Sequence, residues 1–155
     1  MRFLSVPEKA EGSIMLVREI LEGKGRGVHT CSPQDTLADV VDLLVGYNCG
    51  SLVVCERDEM VGIITERDIL RASAATRGTL EPLRVAERMT RCPVTATPDD
   101  DVADAMGAMT EHRIRHLPVV EGGKLAGIIS IGDLVKAQHD ELCRENHYLK
   151  SYILG

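Results

Sequence analysis

Tryptophan is absent from this chain of 155 residues, phenylalanine occurs once and tyrosine three times. Aromatic platforms on which unpaired bases could stack are therefore scarce. A basic excess is missing too: 18 Lys and Arg stand against 24 Asp and Glu, a net charge of −6 with His neutral. Phosphate contacts dominate nucleic-acid affinity, so this balance argues against such a partner. No apolar run approaches the ~18 residues of a membrane-spanning helix. The amino-terminal stretch MRFLSVPEKAEGS lacks the apolar core of a secretory signal. The expected setting is cytoplasmic, away from membranes. Cysteine pairing is also lacking: Cys31, Cys49, Cys55, Cys92 and Cys143 are odd in number and form no C-x-x-C. That excludes a disulfide framework or zinc ribbon in favour of buried, reduced thiols.

What is present is ordinary globular material, with 44% hydrophobic and 27% charged residues. A chain of this length buries ~68–70% of its unfolded surface, enough for one compact domain or two small intimate ones. The sequence also repeats itself. Moved by 65 positions, Pro33 falls on Pro98, Asp35 on Asp100, and Ala38-Asp39 on Ala103-Asp104. Leu52, Val54, Gly62-Ile63-Ile64 and Asp68 likewise fall on Leu117, Val119, Gly127-Ile128-Ile129 and Asp133. One structural unit is used twice.

Each copy predicts the same elements. Ser32-Pro33-Gln34-Asp35 and Thr97-Pro98-Asp99-Asp100 read as helix starts, with a hydroxyl N-cap and proline at the first helical position. Leu37, Val40, Val41, Leu44 and Val45 follow at helical spacing, as do Val102, Ala105, Met106 and Met109. Apolar runs at 52–55 and 60–64, and at 117–120 and 125–129, read as hairpins turning at Arg57-Asp58-Glu59 and Gly122-Gly123. A second helix opens at Thr65 and at Ser130, and a short strand precedes each first helix, at 27–30 and 93–96. The expectation is an α/β protein of two β-α-β-β-α units about a pseudo-twofold axis. Residues 1–13 read as a flexible tail, 14–76 as repeat one, 77–84 as connector, 85–140 as repeat two and 141–155 as a C-terminal helix or tail.

Gly-Ile-Ile-Thr-Glu-Arg-Asp at 62–68, Gly-Ile-Ile-Ser-Ile-Gly-Asp at 127–133 and Arg-Ile-Arg-His-Leu-Pro-Val-Val at 113–120 resemble the signature of the cystathionine-β-synthase (CBS) domain. The resemblance covers roughly residues 16–140. The ending Leu149-Lys150-Ser151-Tyr152-Ile153-Leu154-Gly155 is similar to that of stand-alone bacterial CBS pairs. It implies a regulatory module that takes adenine nucleotides such as AMP, ATP, NAD(H) or S-adenosylmethionine and dimerises into a flat disc.

The local chemistry is compatible with that. A strand ending in Gly-Ile-Ile delivers Thr65 or Ser130 to a helix N-terminus, where free N–H groups and the helix dipole favour oxygen-rich anions. Asp68 and Asp133, three residues on, can accept both hydroxyls of a ribose. The same [ST]-x-x-[DE] pattern is also a capping box, which needs no ligand. By resemblance, adenine contacts come from backbone at His29-Thr30 or Val94-Thr95, and at Gly50-Ser51 or His116-Leu117-Pro118. Cations for a phosphate differ between the copies: Arg113, Arg115 and His116 in copy two, Arg67 and Arg71 in copy one. Surface ion pairing is the competing use for each arginine. The favoured assignment is ribose on Ser130 and Asp133, with Arg113, Arg115 or Arg67 near the phosphate.

Motifs for catalysis are wanting. There is no Walker loop, G-x-S-x-G elbow, HExxH or dinucleotide-binding glycine fingerprint. Gly23-Lys24-Gly25-Arg26-Gly27 reads as a flexible turn. His139, Cys143 and His147 share a helical spacing that could chelate a soft metal, though a solvated face is the commoner use and no metal is expected. The reading is a non-catalytic adenine-nucleotide sensor without a catalytic cofactor, a homodimer that passes its signal to an effector protein. The alternatives are an NAD- or Cys/His-dependent redox or metal protein, and a structural dimeric adaptor with degenerate clefts.

Overall fold

The computed structural model describes residues 14–155, so the expected tail at 1–13 lies outside the described residues. Helix α1 (Val17–Lys24) leads into β1 (Thr30–Cys31), α2 (Leu37–Tyr47), β2 (Ser51–Glu56), β3 (Glu59–Thr65) and α3 (Glu66–Thr76). After the connector come α4 (Val85–Arg88), β4 (Thr90–Arg91), α5 (Val102–His112), β5 (His116–Glu121), β6 (Lys124–Ser130) and α6 (Ile131–Leu154). The chain is a mixed helix-and-strand protein built from two copies of one unit. Among the described residues, no helix is long and apolar enough to cross a membrane.

The 65-residue repeat is legible in hydrogen-bond register. Ser51 pairs with Thr65 and His116 with Ser130, and both hairpins slip at matching places, Val54/Cys55 and Val119/Val120. Both turn through two residues at positive φ, Arg57-Asp58 and Gly122-Gly123, the geometry that suits the right-handed twist of a tight hairpin. The parallel strand before the first helix is β1 in copy one. In copy two it shrinks to a single bridge, Ala96 to Val119.

The first helix of each copy starts later than the sequence reading placed it. Asp35 bends back to accept the Ser32 N–H at 2.8 Å, and Asp100 accepts that of Thr97 at 2.8 Å. These carboxylates close turns rather than cap helices. The chain then runs extended through Thr36 or Asp101, each bridged to another segment, before the helix begins at Leu37 or Val102.

The leading helices cross over. Val17 N–H donates to the Asp100 carbonyl and Val102 N–H to that of Met15, so α1, which precedes copy one, seats on copy two. Val85 N–H donates to the Asp35 carbonyl and Leu37 N–H to that of Leu83, so α4, which precedes copy two, seats on copy one. Two cores result. Val17, Ile20 and Leu21 are buried with Val102, Met109, Leu117, Ile129 and Leu134. Val85 is buried with Leu37, Val40, Leu52, Ile64 and Ala72. Strands β3 and β6 lie against each other, which brings the ends carrying Thr65 and Ser130 to one region of the molecule.

Candidate functional site

Strand β3 ends by handing Thr65, in extended conformation, to the start of α3. Asp68 reaches back and accepts with Oδ2 from the Thr65 N–H at 2.9 Å and from the Thr65 hydroxyl at 3.0 Å. Among the described residues nothing else bonds this half-buried carboxylate, so Oδ1 keeps its lone pairs for another donor. Glu66 N–H is meanwhile satisfied by the Gly50 carbonyl at 3.0 Å, and its counterpart Ile131 N–H by that of Arg115 at 2.9 Å.

Next to Thr65 and Asp68 opens a cleft of about 370 Å³ between the copies. Copy one supplies Gly50, Thr65, Arg67, Asp68 and Arg71. Copy two closes it with Pro93 and Val94 on one side and the turn from His112 to His116 on another. Arg113 sits in the left-handed region at φ 53°, which ends α5 and turns the chain into this wall. Arg67 donates to the Arg113 carbonyl at 3.0 Å, tying the copies together across the cleft. Four arginines, Arg67, Arg71, Arg113 and Arg115, thus share the lining with two acidic residues, Glu66 and Asp68. A Cβ at Gly50 would meet His116 Cε1 at 3.2 Å, so glycine there admits the imidazole. Burial, and then the Arg115 charge, hold His116 below its ordinary pKa against the opposing pull of Glu66 and Asp133.

The Ser130–Asp133 pair is differently placed. Asp133 accepts from the Ser130 N–H at 2.8 Å, and Ser130 Oγ accepts from the Asp133 N–H at 3.2 Å. Lys24 of α1 also sits on this carboxylate, Nζ to Oδ2 2.6 Å. Burial pushes the Asp133 pKa up, but the hydrogen bonds from Lys24 and Ser130 and the Lys24 charge outweigh it and hold it below the ordinary value.

Of the residues singled out in the sequence, the cleft gathers Gly50, Thr65, Arg67, Asp68, Val94, Arg113, Arg115 and His116. Ser51, Leu117 and Pro118 are buried in the strands beside it, and Thr95 is exposed next to Val94. Thr30 lies on β1, and His29 stacks its ring on Tyr47. Glu66, Thr90, Pro93 and His112 join the lining without having been singled out as nucleotide contacts: Glu66 sits within the 62–68 motif without an assigned role there, and no motif marks the other three. Cys143 Sγ lies 3.6 Å from His139 Nε2, but no group of three or more His, Cys, Asp or Glu fit to hold a metal occurs among the described residues.

A family model described as the CBS domain matches residues 17–75 and 85–140. The chain is 35% identical over 148 residues to the mitochondrial CBS domain-containing protein CBSX3 of Arabidopsis thaliana, covering 90% of this chain and 72% of that one. Among solved structures it resembles the CBS-domain containing protein ATU1752 from Agrobacterium tumefaciens, with TM-score 0.78 and 37% identity over 80% of this chain and 99% of that one. It also resembles the CBS domain pair of protein MJ0100, solved with 5-methylthioadenosine and S-adenosyl-L-methionine, with TM-score 0.73 and 26% identity over 83% of this chain and 98% of that one.

Proposed function

The chain belongs to the CBS domain family, and from that premise we propose that it is a non-catalytic regulatory module whose ligand is an adenine nucleotide bound in the cleft at Thr65 and Asp68. The observation that carries the reading is the state of Asp68. It is fixed by Thr65 through one oxygen and keeps the other for a donor in an open cleft. A ribose diol presents the donors such an oxygen accepts. The arginines of α3 and of the turn before β5 supply positive charge for a phosphate, and Arg can grip one with two parallel hydrogen bonds. The complex of the MJ0100 pair with adenosine-type ligands supports the ligand class. The arginines favour the phosphorylated members, AMP, ATP or NAD(H), over the sulfonium cation of S-adenosylmethionine.

The signal would travel through the geometry of the cleft. A ligand that bridges α3 and the Arg113 turn stabilises one arrangement of the two copies, and only such differential affinity can shift an equilibrium. The output passes to an effector protein, and the working unit is a homodimer. Isothermal titration calorimetry with AMP, ATP, NADH and S-adenosylmethionine tests the proposal, on the wild type and on Asp68→Asn. Saturable binding that Asp68→Asn weakens by ~1.5–3 kcal/mol, the range of a hydrogen bond to a charged group, is the expected result. Binding that ignores this substitution would move the ligand away from Asp68.

A further inference from the structure

In copy two a second carboxylate stands where Asp68 stands in copy one, and the chain has placed its own groups against it. Lys24, the last residue of α1, donates from Nζ to Asp133 Oδ2 at 2.6 Å and to the Ile128 carbonyl at 3.0 Å. No lysine or arginine bonds Asp68 among the described residues. The opposite wall differs as well. Val94 and His112 line the open cleft, and 65 positions earlier stand His29 and Tyr47. Those two rings stack on each other, with centroids 3.8 Å apart and planes within 9°. A hydrogen bond on the carboxylate and a ring on a ring are the contacts a nucleotide would offer, and here the chain makes both internally.

Resting on the reading of the Asp68 cleft as the nucleotide site, we infer that Lys24 closes the corresponding site at Ser130 and Asp133, and so fixes binding at one nucleotide per chain. An ammonium brings a full positive charge to the carboxylate as well as a hydrogen bond, whereas a ribose hydroxyl brings the hydrogen bond alone. Lys24 is also held in place beforehand. Val17 and Leu21 of the same helix are fully buried in copy two, so the ammonium does not have to be recruited from solvent. A ligand at this second site would have to leave that ion pair without its partner, and its affinity would drop accordingly. The two carboxylates are equal in sequence and unequal in availability.

Calorimetry on the full chain with ATP as probe, and AMP in parallel, tests the inference. The wild type should bind one nucleotide per chain, and Lys24→Met, which keeps an unbranched apolar stem and drops the ammonium, should bind two. Lys24→Arg retains a cation and should stay at one. Asp68→Asn should weaken wild-type binding at least tenfold, whereas the Lys24→Met, Asp68→Asn double variant should retain one site. Two sites per wild-type chain would overturn the inference without recourse to any variant. So would a single site in Lys24→Met that circular dichroism shows to be folded, or weaker binding in that variant, which would make Lys24 a ligand contact. In the first two of those cases the Asp68 reading survives, whereas a ligand contact by Lys24 would move the nucleotide to Ser130 and Asp133. Absence of binding in every protein would remove both.

Discussion

Asp68 and Asp133 occupy matching places in the two copies, yet one lysine separates their chemistry. The repeat made both carboxylates legible, because each lies three residues after a hydroxyl at a strand-to-helix junction. The lysine was not legible, since it is 109 residues from its partner and sits in a glycine-rich stretch that reads as a turn. Pattern reveals which groups recur, and only folding reveals which are spent. His116 extends the point. It is half-buried on the wall shared by the copies, with Arg115 and Lys24 disfavouring its charged form and Glu66 and Asp133 favouring it. Burial leads, and its folded pKa lies below the ordinary 6.5. Between those two values the unfolded chain binds the additional proton, so stability is complete above 6.5 and falls as pH drops toward the folded value. Thermal unfolding midpoints from pH 7.5 to 5.0 should therefore fall more steeply for the wild type than for His116→Gln. Parallel profiles would show that this imidazole is not held neutral by the fold.

At the level of elements, both hairpins and both second helices lie where alternation and turn residues place them, because those signals are local. The short leading strands expected at 27–30 and 93–96 reduce to Thr30–Cys31 and a single bridge at Ala96, and no pattern marked α1, α4 or β4. Two further features escaped. The Ser-Pro-x-Asp and Thr-Pro-x-Asp segments carry the residues of a helix start, but their carboxylates close a turn on the Ser32 or Thr97 N–H, and an extended residue intervenes before the helix. Local composition cannot separate those outcomes when a distant segment supplies the bridge. The second is the exchange of α1 and α4. The matching backbone bonds Val17 to Asp100 and Val85 to Asp35 relate the leading helices by 68 positions, whereas the rest of each unit repeats at 65, so a gap-free overlay does not align them. The exchange has an energetic consequence. Leu21 is fully buried in the core of copy two, and Gly127 on β6 lies so close that an added Cβ would come within 2.7 Å of Leu21 Cδ2. Leu21→Ala should destabilise the protein by ~2–5 kcal/mol. Hydrogen exchange should lose protection first at β5, β6 and α5 rather than in the copy that follows α1 in sequence. Equal loss in β2 and β3 would mean that the two cores open together.

For the molecule as a whole, α6 carries most of the large exposed apolar side chains among the described residues. Leu142, Leu149, Tyr148, Tyr152 and Ile153 are all exposed, at 59–82% of their full area. A contiguous apolar stripe of this kind marks an interaction site. Val135, Leu142 and Leu149 recur every seven residues, the spacing of a two-helix seam. In the proposed homodimer a second copy of the chain would cover this stripe. Sedimentation equilibrium should give a dimer for the wild type and a monomer for Leu142→Glu combined with Leu149→Glu. A mass unchanged by the two glutamates would remove α6 from the interface.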